Sequence, residues 1–245
     1  MDWFDCNAGF GVPRIPPVSY AATPQDLLDE MDFCSVAEAL VCHAATRDES
    51  AQAGNRLVVE GTKGQTRLHP LWAILPLQTG EIGLPEQWFA TMKADAVKAL
   101  VAYPEQHRYL LNGLTFGPLF EEMSDRKIPL IVGPDWRGVT SLLADFPDLT
   151  VIVVNHSGWG EDRHFRPLIE RYDRFHIDTS SYDLDGGITD VVARYGPHRL
   201  LYGSGFPTMQ MGGSLLTVAQ ADTSDDAKAA IAAGNLRRLL SEVKL

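Results

Sequence analysis

Seven histidines occur in this chain, and three stand where a side chain can do chemistry: His43 closes the apolar run Glu38–His43, His107 follows the run Val97–Tyr103, and His156 follows the sequence VIVVN. Imidazole is the side chain whose ordinary titration lies near neutral pH, so a positioned histidine is a natural general acid or base. Asp178 ends the run Phe175–Asp178 and is placed to orient His156. We therefore read His156, Asp178, His107 and His43 as the candidate catalytic set. Asn7, Tyr103, Tyr109, Asp135, Arg137 and Ser204 stand at or just beyond other run ends and form the candidate substrate-binding set. Arginine offers a planar fork to a carboxylate and aromatic rings give a flat wall, which predicts a small planar carboxylic acid or lactone as the guest. The structural alternatives are an aspartate capping a helix and an arginine paired with a neighbouring acid.

Other chemistries are disfavoured by spacing. Gly203-Ser204-Gly205 lacks the GxSxG pattern of a nucleophile elbow, so Ser204 reads as a binding or structural serine rather than a nucleophile. No HExxH or HxxEH is present, and His69 and His176 read as core histidines bonded to backbone carbonyls. Cys6, Cys34 and Cys42 are odd in number and form no CxxC, which argues against a disulfide framework and for a reducing, cytoplasmic setting.

The elements that must position these residues alternate along the chain. Short apolar runs fall at Trp3–Asn7, Glu38–His43, Leu68–Leu75, Val97–Tyr103, Ile128–Val132, Thr150–Asn155, Phe175–Asp178 and Leu200–Gly203. Between them lie helical stretches at Pro24–Phe33, Glu49–Glu60, Pro85–Lys93, Pro118–Arg126, Val139–Asp145, Phe165–Tyr172, Ile188–Tyr195 and Asp225–Glu242. Eight βα units in 245 residues predict one α/β domain over residues 1–245, a (β/α)8 TIM barrel. A doubly wound open sheet is the rival, and it calls for a GxGxxG turn that Asn7-Ala8-Gly9-Phe10-Gly11 does not supply. In a barrel the strand ends converge on one mouth, which gathers the candidates above.

Composition narrows the partners. Lysine and arginine total 21 against 32 aspartates and glutamates, a net charge of −11 that disfavours nucleic acid. No run approaches a membrane span, and the opening Met1-Asp2-Trp3-Phe4-Asp5 has no basic region of a secretory signal. Trp72, Trp88 and Trp136 are candidate anchors for a homodimer.

Five segments carry a resemblance: FDCNAGFG, IPLIVG, VIVVNHSGWG, PHRLLYGSGFP and AAIAAGNLRRLL, in order from residue 4 to residue 240. Together they resemble the amidohydrolase-related family of the amidohydrolase superfamily. The resemblance implies a metal held by a first-strand DxHxH, a fifth-strand His and a sixth-strand His, with an eighth-strand Asp in GSDxP moving the proton. Here Asp5 and His156 match, whereas the remaining positions fall on Asn7, Gly9, Gly133 and Gly205. The expectation is a hydrolase of C–N or C–O bonds in a small carboxylated or lactone substrate, acting with no metal or other cofactor. The alternatives are zinc at a rebuilt site using His156, and an inactive barrel that binds a small molecule or serves as a regulatory subunit.

Overall fold

Every strand pairs in parallel with its sequence neighbour, in the order β1 to β8, so the sheet curls into a (β/α)8 barrel. The computed structural model describes all residues, Met1 to Leu245. The strands are β1 Phe4–Phe10, β2 Glu38–His43, β3 Leu68–Ala73, β4 Ala99–Ala102, β5 Leu130–Val132, β6 Val151–Val153, β7 Phe175–Asp178 and β8 Leu200–Leu201. The helices are α1 Pro24–Cys34, α2 Ala44–Asp48, α3 Ala51–Thr62, α4 Pro85–Ala94, α5 Pro104–His107 and α6 Gly113–Arg126. They continue with α7 Trp136–Asp145, α8 Asp162–Arg171, α9 Gly187–Tyr195, α10 Met211–Ala219, α11 Asp225–Ala229 and α12 Asn235–Ser241.

Alternation along the strands feeds two cores. Leu40, Leu71, Val101, Ile131, Ile152 and Leu201 belong to the smaller apolar cluster, which fills the barrel. Their strand neighbours Val41, Trp72, Leu100, Leu130, Val151 and Leu200 belong to the larger cluster between sheet and helices. Because β8 has only two residues, backbone beyond it carries the closing seam. The Cys6 amide donates to the Tyr202 carbonyl at 2.9 Å, and the Gly205 amide to the Asn7 carbonyl at 3.0 Å.

Local signals explain most helix starts. Thr23 and Asp26 cap α1 reciprocally, Thr23 Oγ1 accepting from the Asp26 amide at 3.2 Å and Asp26 Oδ2 from the Thr23 amide at 2.9 Å, with Pro24 at the first helical position. Elsewhere the structure corrects the sequence. Helix α6 starts at Gly113, capped by Asn112, so Pro118 lies inside it and does not begin it. Helices α2 and α5, of five and four residues, are too short to show a period. Helix α10 carries Gly212 and Gly213, which mask its pattern, and the expected last helix is interrupted by a π-helical turn at Ala230–Gly234.

Trp72 and Trp88 are buried and pack together with centroids 6.1 Å apart, so they are core residues and not surface anchors. Trp136 stacks on His164 at 5.5 Å. His69 bonds the Glu38 carboxylate at 2.8 Å where a carbonyl was expected. His176 is buried with Nδ1 lacking any partner. No helix is long and apolar enough to cross a membrane.

Candidate active site at the barrel mouth

The floor of the mouth is built by two irregularities in strand geometry. In β1, Asp5 pairs with Ala39 and Ala8 with Val41, three residues advancing against two, and the resulting bulge lies at Cys6 and Asn7. Such an extra residue re-aims side chains, and here Asn7 and Gly9 both reach the mouth. After β6, Asn155 takes a left-handed backbone with φ of 57°, which asparagine tolerates better than other non-glycine residues. Asn155 thereby lines the mouth.

Asp178, fully buried, ties the two amides together. Its Oδ2 accepts from Asn7 Nδ2 at 3.0 Å and its Oδ1 from the Asn155 backbone amide at 3.2 Å. Asn7 Nδ2 also donates to Asn155 Oδ1 at 2.9 Å, and Ser180 Oγ donates to the same oxygen at 3.3 Å. These bonds fix both amides: Asn7 turns Oδ1, and Asn155 turns Nδ2, away from the network. Burial pushes the Asp178 carboxyl above its ordinary range, opposed by the hydrogen bonds from Asn7 and Asn155.

One layer below, Asp5 Oδ1 accepts from the backbone amides of Asn7 and Ser204, each at 2.9 Å, and its Oδ2 has no partner. Burial raises the Asp5 carboxyl to about 6, against the pull of those bonds. Ser204 is buried and outside the cavity; its Oγ accepts from the Phe206 amide at 3.0 Å, so it fastens the loop after β8 and does not meet a ligand directly.

His156 departs most from expectation. Its ring does not face the cavity but is fully buried behind it, among Trp136, Phe165 and Tyr182. Nε2 lies 2.9 Å from the Asp178 carbonyl oxygen and Nδ1 3.2 Å from that of Ser157. The left-handed turn at Asn155 is the physical reason: it interrupts the strand's alternation, so the asparagine presents to the mouth and the histidine turns back. Asn155 is the residue the sequence reading missed, and an asparagine at a strand end was the available signal.

The walls enclose a cavity of about 1290 Å³ lined by His43, Tyr103, Tyr109, Asp135 and Arg137, besides Asn7 and Asn155. His43 Nδ1 accepts from the Ala45 amide at 3.1 Å, capping α2, so the ring proton sits on Nε2. Burial lowers the His43 titration, with the Glu49 charge opposing it. Nε2 lies over Gly11, where an added Cβ would come within 2.6 Å of it. Asp135 Oδ1 caps α7 by accepting from the Gly138 amide at 3.1 Å. Arg137, exposed on the first turn of α7, makes no ion pair, and Arg47 is held by Asp48 at 2.7 Å. Tyr103 donates to Cys42 Sγ at 3.6 Å, and Tyr109 Oη accepts from the Tyr103 amide at 2.9 Å, which fixes both rings. His107 stands outside the cavity: its Nε2 donates to the Thr46 carbonyl at 2.9 Å and its buried Nδ1 has no partner.

A model of the amidohydrolase family matches residues 86–241, well over half of the chain. This chain belongs to the amidohydrolase family. Solved structures share the fold of this amidohydrolase at low identity. An uncharacterized TIM-barrel protein from Bordetella bronchiseptica is 16% identical with a TM-score of 0.74, each chain covered to 99%. A 2,6-dihydroxybenzoate decarboxylase from Rhizobium is 16% identical with a TM-score of 0.72, covering 98% of this chain and 99% of that one. A probable 2-pyrone-4,6-dicarboxylic acid hydrolase from Acinetobacter baumannii is 12% identical with a TM-score of 0.74, covering 98% and 100%. A search of curated protein sequences found no match.

Amidohydrolases of this resemblance hold a metal, and the residues here do not fit one. Gly9, Gly133 and Gly205 carry no donor, Asn7 spends its amide on neighbours, and both His156 nitrogens face carbonyl oxygens. No three histidine, cysteine, aspartate or glutamate side chains converge on a point where an ion could sit, so a rebuilt site around His156 lacks its further ligands. Gly205 has a φ of 68°, and an added Cβ there would come within 2.9 Å of Asn155 Oδ1. The asparagine thus occupies space that an eighth-strand acid would need.

Proposed function

We propose that this amidohydrolase is a hydrolase that opens a C–O or C–N bond in a small carboxylated or lactone substrate, using its own side chains and no metal. The observation that carries the reading is the locked floor: a buried carboxylate holds the Asn7 side-chain amide, which donates in turn to Asn155 Oδ1, so that Asn155 Nδ2 stays free at the base of a cavity walled by an unpaired arginine. The neighbouring folds lend support, since one is a dihydroxybenzoate decarboxylase and another a probable pyrone dicarboxylic acid hydrolase.

In this reading Arg137 grips the substrate carboxylate and Tyr103 with Tyr109 walls its flat face. Asn155 Nδ2 and His43 Nε2–H donate to the carbonyl oxygen, where negative charge develops as water adds. Asp135, whose Oδ2 makes no bond within the protein, takes the proton from that water and passes it to the leaving oxygen or nitrogen. Water's oxygen bonds to the carbonyl carbon, the C–O or C–N bond breaks, and the products are an acid and an alcohol or amine. Asp178 is a positioning residue that fixes the amides, and His156 in turn holds the Asp178 backbone.

A second reading, a barrel that binds without turnover, is favoured by the glycines at 9, 133 and 205, which put no functional side chain where the family places its metal ligands and its proton-transfer acid. A panel of lactones and amides followed by proton release decides. We expect turnover that a chelator does not alter and that Asp135→Asn lowers by about a hundredfold. Ligand-induced thermal shifts with no turnover would support the binding reading, and a stoichiometric metal whose removal stops the reaction would overturn the metal-free one.

A further inference from the structure

A second cavity, of about 530 Å³, lies between the ends of β6 and β7 and helix α10. Asn155 is the residue common to both cavity walls, so the two meet at the free amide of the floor. Its walls differ in kind from those of the main cavity. Ser157 follows β6, Thr179 and Ser181 follow β7, and Ser214 and Thr217 project from α10. Ser214 and Thr217 spend their protons on the Met211 and Gly213 carbonyls, at 3.5 and 3.2 Å, which leaves their oxygens able to accept. Ser157 and Ser181 hydroxyls bond to nothing within the protein, and Thr179 Oγ1 is buried without a partner.

Asp183 is the only charged residue on this wall, and no cation accompanies it. An anionic group would meet that carboxylate unbalanced, and an apolar group would strand the hydroxyls. Neutral hydroxyl groups both donate and accept, which is what a wall of serines, threonines and one carboxylate can satisfy. We propose that this cavity binds the hydroxylated tail of the substrate, making the ligand class a polyhydroxylated carboxylate or its lactone. The position of the reacting end rests on the function proposed above, whereas binding of the tail does not.

Three probes separate the two: gluconate, hexanoate and the neutral polyol glucitol, each titrated against the intact protein by ligand-observed NMR. Gluconate should bind about tenfold more tightly than hexanoate, and Thr179→Val or Ser181→Ala should weaken gluconate and glucitol about three- to tenfold while leaving hexanoate unchanged. Ser181 is partly exposed, so its variant tests the idea even if the buried Thr179 substitution perturbs folding. Glucitol binding without hexanoate binding would support the tail site and overturn the carboxylate grip. Equal affinity for gluconate and hexanoate, equal weakening of both by the variants, or no binding of glucitol would overturn the tail site.

Discussion

Asn7 Nδ2 lies 3.0 Å from Asp178 Oδ2 and 2.9 Å from Asn155 Oδ1, so one side-chain amide spends both its protons beneath the cavity floor. Asn7→Ala removes a donor from a fully buried carboxylate and frees the Asn155 amide to turn. A buried acceptor left unpaired costs about 1–3 kcal/mol, which a urea midpoint will register. Asn7→Asp should be worse, because it sets a second carboxylate against the first.

Restoring an acid or even a methyl at position 205 should fail alone. Gly205→Ala places a Cβ at positive φ and within 2.9 Å of Asn155 Oδ1. Left-handed backbone alone costs about 1–2 kcal/mol for a residue with a Cβ. Asn155→Gly should relieve the contact but not the backbone strain, so a double-mutant cycle on denaturation will show a favourable coupling between the two sites. Additive effects would mean that the two residues do not compete for that space.

Two buried groups give stability opposite dependences on acid. Asp5 is raised from 3.8 to about 6, so the native state gains protons first; this contribution is full below pH 3.8 and is lost as pH rises through about 6. The loss is on the order of 3 kcal/mol, and Asp5→Asn should therefore be more stable than the parent at pH 8 and equal to it near pH 3.5. His176 is lowered from 6.5 to about 3, so its contribution is full above pH 6.5 and is lost as pH falls through about 3. His176→Phe should flatten the acid limb that the parent shows. Denaturant melts across pH 3 to 8 separate the two, and an Asp5→Asn profile parallel to the parent would refute the first.

His156→Ala should act on folding before chemistry. The ring contacts Phe165, Tyr182 and Trp136 and holds the Asp178 carbonyl, and emptying a buried aromatic site costs about 3–5 kcal/mol. A large fall in thermal midpoint with carboxylate binding retained at low temperature is the expected result. Unchanged stability with abolished turnover would instead return His156 to a direct catalytic role.

The barrel was legible because its signals are local. Alternating apolar runs named all eight strands, and Phe175–Asp178 coincides with β7 to the residue. Thr23-Pro24 announced α1 because a cap and a fixed φ act over one turn. The site was less legible, because its geometry depends on backbone exceptions. A bulge in β1 and a left-handed Asn155 decide which side chains face the mouth, and neither follows from hydrophobic period. Asn7, His43, Tyr103, Tyr109, Asp135 and Arg137 lie on the cavity wall, whereas His107, His156, Asp178 and Ser204 stand behind it. Asp178 closes its strand, His156 and Ser204 lie just past theirs, where the alternation of inward and outward residues runs out, and His107 ends the short helix α5, whose four residues show no period.

The seam between the first and last strands is thin, two backbone bonds, the Ser204 hydroxyl on the Asn7 carbonyl and one buried carboxylate, and it passes directly beneath the ligand floor. Opening of the barrel should therefore begin where the ligand sits. A small molecule that grips Asn7 or Asn155 would act as a staple across the weakest joint of the molecule, slowing amide exchange at Cys6 and Gly205 before any other part of the sheet.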